Sequence, residues 1–111
     1  MIHMKLRKEL QWFAEEMEAK LRENDHKSGW HGNTVRSLFQ RLREESDELL
    51  VQSHPLQLDT IAETLSREDA CELIRECADI ANFAMMIADN IRLKHEGKNP
   101  DTSPGDDAIV S

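Results

Sequence analysis

Three stretches of the chain place apolar residues three and four positions apart, the period of an amphipathic helix. In residues 4–24 the stripe is Leu6, Leu10, Phe13, Met17 and Leu21, with Lys and Glu on the other faces. Trp12 lies one step off that stripe, either a flank of the core or the wall of a pocket. In residues 34–52, after Asn33 or Thr34 as N-cap, Val35, Leu38, Leu42 and Leu49 form one apolar seam. Residues 67–95 read as a long third helix, about 40 Å if continuous. Ser66 is placed to cap it, and Glu68 and Asp69 fall in the first turn, where acids favour the helix dipole. On this helix Leu73, Cys77, Ile80, Ala84, Ile87 and Ile91 share one face, and Ala81, Met85 and Ala88 widen it. Phe83 and Met86 lie on another side. From Cys77 to Ile91 it is apolar most of the way round, which predicts a central position or burial by a second subunit.

The segments between are broken by turn chemistry. Residues 25–33, DHKSGWHGN, form a loop with two glycines and an exposed Trp beside Lys and two His. Two readings stand side by side: Lys27 reaches a phosphate and Trp30 stacks on a base, or Trp30 plugs the end of the bundle while Lys27 is solvated. His54-Pro55 ends the second helix, because a residue before proline avoids helical geometry. Residues 53–66 form a connector, with a short helical turn expected over 59–65 that turns Ile61, Ala62 and Leu65 inward. Gly97 suits a C-cap, and 96–111 has no periodicity and reads as a disordered tail. The expected fold is all-α: three main helices plus a short connector helix, one domain over 1–95, with a tail over 96–111.

Composition sharpens this picture. At 39% hydrophobic and 5% aromatic, without Tyr, the core is thin, so oligomerisation is expected to complete it. A net charge of −8 argues against a nucleic-acid polymer or an anionic membrane as partner. No apolar run resembles a leader peptide or a membrane span, and Cys71 and Cys77 sit about 240° apart on one helix, too divergent to bridge each other. They read as free thiols packed as small hydrophobes in a reducing, cytoplasmic setting.

The candidate chemistry lies in RLREESDELL, residues 41–50. At about 100° per residue, Glu45 occupies the slot of the apolar seam where another leucine would fit. Glu48 lies about 60° away at the seam's edge, and Glu44 points away from the apolar centre. A carboxylate in a core slot is costly unless paired, and a bound cation is the usual remedy for several together. A second acidic pair, Glu76 and Asp79, is embedded in the apolar third helix, 27 residues beyond Glu48. Two helices packed about 8–10 Å apart can converge these clusters on one volume. An all-oxygen donor set suits Mg²⁺, with Mn²⁺ as a substitute, better than Zn²⁺. A di-iron bundle wants Glu-x-x-His steps, and here each step ends in another acid. Carboxylate-held Mg²⁺ points to phosphoryl or nucleotidyl transfer.

LREESDEL followed by ECADIANFAMMIAD resembles the signature of the MazG-type, all-α nucleoside triphosphate pyrophosphohydrolases, whose pattern is EExxE, a spacer and ExxD. Here the pattern is Glu44-Glu45-x-x-Glu48 and Glu76-x-x-Asp79, and the upstream KSGW is similar to the loop before the acidic helix in many members. The likeness spans about residues 6–95 and looks closest to compact, single-motif MazG proteins. It implies Mg²⁺-dependent hydrolysis of (deoxy)nucleoside triphosphates to the monophosphate and pyrophosphate, in nucleotide-pool house-cleaning, by a homodimer or homotetramer whose subunits together complete four-helix-bundle-like units. By position, Glu45, Glu48, Glu76 and Asp79 would hold metal, with Glu44 behind them or facing a neighbouring subunit. Glu45, or Glu48 beside it, would orient or deprotonate the attacking water. Asn82 is placed to bond sugar or phosphate, Lys27 and Lys94 to meet phosphates, and Trp30 or Trp12 to contact the base. Two other classes compete: a non-catalytic nucleotide-binding or oligomerisation module, and a coiled-coil-like interaction protein whose acids are surface charge. The last leaves Glu45 in the seam, and Glu76 and Asp79 in an apolar helix, without a reason.

Overall fold

A computed structural model describes residues 4–25, 29–54 and 65–97. They form three α-helices, with no strand among the described residues: α1 (Lys8–Glu23), α2 (Val35–Ser53) and α3 (Arg67–Glu96). The all-α class is as the hydrophobic period predicts. The expected connector turn over 59–65 lies almost wholly outside the described residues, as does the tail from 98 onward.

Cap chemistry sets the boundaries. Thr34 Oγ1 accepts from the Ser37 N–H at 3.0 Å and opens α2; Ser66 Oγ accepts from the Asp69 N–H at 3.0 Å and opens α3. Gly97 closes α3 at φ 68°, the left-handed conformation in which a glycine carries no steric penalty. α1 lacks such a cap. It starts at Lys8, four residues later than its stripe predicts, because Arg7 is extended and offers no side-chain cap.

α3 is the central element, with α1 and α2 both packed against it. Leu38 of α2 and Leu73, Ala78, Ile87 and Leu93 of α3 form the buried core. α1 contributes half-buried Phe13, Met17 and Leu21, while Leu6 and Leu10 of the same stripe are exposed. Polar groups fasten α1 to α3: Asn82 Nδ2 donates to the Met17 carbonyl at 3.0 Å, and Arg75 grips both Glu23 oxygens at 2.9 and 2.8 Å.

The face of α3 that the stripe marks as core is only partly so. Leu73 and Ile87 are buried and Ile80 is half-buried, but Cys77, Ala84 and Ile91 are exposed, Ile91 by 51%. Ala88 is exposed as well. Two helices cover the flanks of α3 and leave the middle of its apolar stripe outward. Both cysteines are free, as their divergence requires, yet exposed and not packed. No helix among the described residues is long and apolar enough to cross a membrane.

Candidate functional site

The seam of α2 arrives at α3 as its spacing predicts. Leu38 is 2% exposed, Val35, Leu42 and Leu49 are half-buried, and Glu45 sits among them with its side chain 17% exposed. Glu76 and Asp79, one turn apart on α3, face it. Glu45, Glu76 and Asp79 each offer one oxygen, and these atoms lie within 4.8 Å of one another. Exposed acidic groups cluster often without a ligand; all three of these are half-buried.

The electrostatics of the cluster are unbalanced. Burial pushes the Glu45 carboxyl up, and the charges of Glu48 and Glu76 add to it, more than Arg41 at 3.5 Å takes back. Burial also raises Glu76, reinforced by Asp79 and Glu72 and only partly opposed by Lys20. Glu76 Oε1 is buried without a hydrogen-bond partner among the described residues. Buried acceptors are normally satisfied, so an orphaned carboxylate oxygen beside two more carboxylates is a place a hard cation fits.

Next to the cluster opens a cavity of about 610 Å³, within the range of small-molecule sites. Trp30, Leu38, Phe83 and Met86 supply apolar wall, and Lys20, Arg41, Glu45, Asp79 and Asn82 supply polar wall. Arg41 carries its guanidinium 5.4 Å from the centre of the Phe83 ring while reaching Glu45. Lys20, half-buried, stands 3.4 Å from Asp79 and 3.5 Å from Glu23.

The residues singled out by sequence separate into those brought together and those set apart. Glu45, Glu76, Asp79, Asn82 and Trp30 meet at the cavity or its edge. Glu48 is exposed and outside the close trio, although its charge acts on both Glu45 and Glu76. Glu44 is exposed and accepts from Gln40 Nε2 at 3.3 Å, on the side away from α3 as the wheel predicts. Asn82, 3% exposed, spends its amide N–H on the Met17 carbonyl, which leaves Oδ1 as its unpartnered atom. Trp12 lies with Met4 and Leu6 along a separate shallow groove, and Lys94 is exposed in the last turn of α3, away from the cavity. Lys27 lies outside the described residues.

Lys20 is the site residue that the sequence reading missed. Its signal is a lysine three residues after Met17 and seven after Phe13, on the flank of the apolar stripe where a solvated charge has no reason to be. Comparison of the chain with protein-family models, with curated proteins and with solved structures finds no match.

Proposed function

We propose that the protein is a Mg²⁺-dependent hydrolase that cleaves (deoxy)nucleoside triphosphates to the monophosphate and pyrophosphate. The observation that carries this reading is the convergence of Glu45, Glu76 and Asp79, from two helices, at the rim of a cavity with aromatic and amide walls. The sequence resemblance supports the same reaction.

Glu45, Glu76 and Asp79 would hold the metal, and the charge of Glu48, which acts on Glu45 and Glu76, would add to the attraction. Mg²⁺, when bound, offsets the crowded carboxylate charge and the charge that develops on the leaving pyrophosphate. Glu45 orients the attacking water and takes its proton. The water oxygen bonds to the α-phosphorus, the bond from that phosphorus to the bridging oxygen breaks, and its electron pair leaves with pyrophosphate. Lys20 supplies cationic wall to the phosphates. Trp30, Phe83 and Met86 flank the base, and Asn82 lines the cavity beside them. The uncovered face of Cys77, Ala84, Ala88 and Ile91 is the surface through which a second copy would complete the bundle.

The test is release of pyrophosphate and monophosphate from a panel of canonical and modified nucleoside triphosphates with Mg²⁺, Mn²⁺ or EDTA. Release that EDTA abolishes, and that Asp79→Ala removes while the circular-dichroism spectrum stays helical, is the expected result. No turnover of any nucleotide with either metal overturns the enzyme and leaves a nucleotide-binding module. Full activity in Asp79→Ala overturns the site.

A further inference from the structure

Ten residues along α3 from the acidic cluster, a second carboxylate is wired in the opposite sense. Asp89 has a side chain only 15% exposed, and its hydrogen bonds run to the loop that carries Trp30. Its Oδ2 accepts from the Trp30 indole N–H at 3.1 Å and lies 2.8 Å from His31 Nε2. Its Oδ1 is taken by the Arg92 guanidinium, one turn on along α3. The neighbouring residue completes the clamp: Asn90 Nδ2 donates to the Trp30 carbonyl at 3.2 Å, and that carbonyl also accepts from the Asn33 N–H at 3.1 Å. Two successive residues of α3 thus hold two successive residues of a loop about 60 positions away in the chain.

The Trp30 indole has one hydrogen-bond donor, and Asp89 occupies it. What Trp30 can give a ligand in the cavity is therefore its ring, not its N–H. The ring is held in place from behind, with the His31 ring 5.3 Å away and tilted by 47°. A wall fixed before the ligand arrives contributes more to affinity than one that must be ordered on binding.

We propose that Asp89 is a positioning residue for nucleotide affinity: it fixes Trp30 as a rigid, base-tolerant stacking wall of the cavity, acting through Trp30 and not on the reacting atoms. This rests on the nucleotide reading above. Burial alone would raise the Asp89 carboxyl, but the bonds from His31, Arg92 and Trp30 outweigh it and hold it below the usual range, so the anchor stays ionised at neutral pH.

The experiment uses the full chain in a Trp12→Phe background, where Trp30 is the one remaining tryptophan. Turnover of the four canonical dNTPs with Mg²⁺ and binding of inorganic tripolyphosphate with Mg²⁺ are compared for the background, Asp89→Ala, Asp89→Asn, Trp30→Ala and the Asp89→Ala/Trp30→Ala pair, and Trp30 fluorescence anisotropy for the background, Asp89→Ala and Asp89→Asn, which keep the indole. Asp89→Ala is expected to raise KM about tenfold with kcat within about twofold, the scale of one lost base stack. Tripolyphosphate, which has no base, binds Asp89→Ala as it binds the background. Trp30 anisotropy falls without ligand, and the double variant is no worse than Trp30→Ala alone. Asp89→Asn keeps an acceptor for the indole but not the charge for Arg92 and falls between; it carries the test if Asp89→Ala loses its helical spectrum. An unchanged KM, an equal loss of tripolyphosphate binding, or additive losses in the double variant overturn the role of Asp89 and leave the nucleotide reading standing. A background protein that neither binds nor hydrolyses any dNTP overturns both.

Discussion

Replacing Glu76 by Gln is expected to make the metal-free protein more stable while disabling it. Glu76 has an oxygen within 4.8 Å of oxygens on both Glu45 and Asp79. Two unit charges at that separation repel by about 0.9 kcal/mol in bulk water and about 3.5 kcal/mol at an effective dielectric of about 20. The cluster opens on a solvent-connected cavity, so screening favours the lower part of that range for each pair. Gln also loses the attraction of Lys20, a smaller influence on Glu76 than burial or the charges of Asp79 and Glu72. The balance is a gain of about 1–2 kcal/mol, which for a domain of this size is roughly 5–10 °C in melting temperature. The assay is thermal unfolding followed by circular dichroism in EDTA and again in millimolar Mg²⁺. In EDTA the variant melts above the parent. In Mg²⁺ the parent gains by mass action and Glu76→Gln gains less, so the gap narrows or reverses. A variant with unchanged helix content that melts below the parent in EDTA refutes the repulsion argument. Equal gains from Mg²⁺ in both proteins refute Glu76 as a ligand.

Metal-free stability should also depend on pH with a definite sign. The raised Glu45 and Glu76 contribute stability that is present below the ordinary glutamate pKa of 4.5 and is lost as pH rises through their raised values. The lowered Asp89 and Glu23 act oppositely, losing their contribution as pH falls through their lowered values. Melting temperature in EDTA is therefore expected to peak at mildly acidic pH and fall toward neutrality, with Mg²⁺ removing the neutral-side fall; a steady rise through neutrality in EDTA contradicts this. Leu38→Ala removes a side chain that is 2% exposed at the α2–α3 contact and should cost about 2–3 kcal/mol in urea unfolding, the low end for core truncations because the site borders a cavity. Ala88→Glu puts a charge on the uncovered face of α3 and is expected to shift an oligomer to monomer with the helical signal intact, read by light scattering. A parent that is already monomeric at high concentration would refute assembly through that face.

The parts of the fold legible in the sequence are those fixed by local chemistry. Thr34, Ser66 and Gly97 end helices through bonds and dihedrals that depend on a few neighbouring residues, and each acts where the sequence places it. Glu45 was legible because a seam with one defined direction shows what does not belong in it. The covered side of α3 was not legible, because a helix that is apolar most of the way round has no single direction to read. Ala78 and Leu93 are buried while Ala84 and Ile91 are not, a choice made by where α1 and α2 dock. The Asp89 anchor is less local still, since its partners Trp30 and His31 lie 59 and 58 residues away.

The contrast between the two acidic positions of α3 carries more weight than either alone. The protein has 14 Lys and Arg, and the fold brings some of them to carboxylates of α1 and α3. At Asp89 the cation is Arg92, His31 and the indole N–H complete the hydrogen-bond set, and the carboxyl is held down. At Glu23 on α1, Arg75 does the same work. At Glu45 and Glu76 the nearest cations are too few. Arg41 is shared with the Phe83 ring and Lys20 is turned to Asp79 and Glu23, so burial and the neighbouring carboxylates push both carboxyls up, and one Glu76 oxygen has no partner among the described residues. A surface cluster held only by solubility would not be half-buried, and a structural ion-pair network would be completed as it is ten residues further along the same helix. Among the described residues, the shortage of positive charge around Glu45 and Glu76, at the rim of the cavity, is what the proposed cation would remedy.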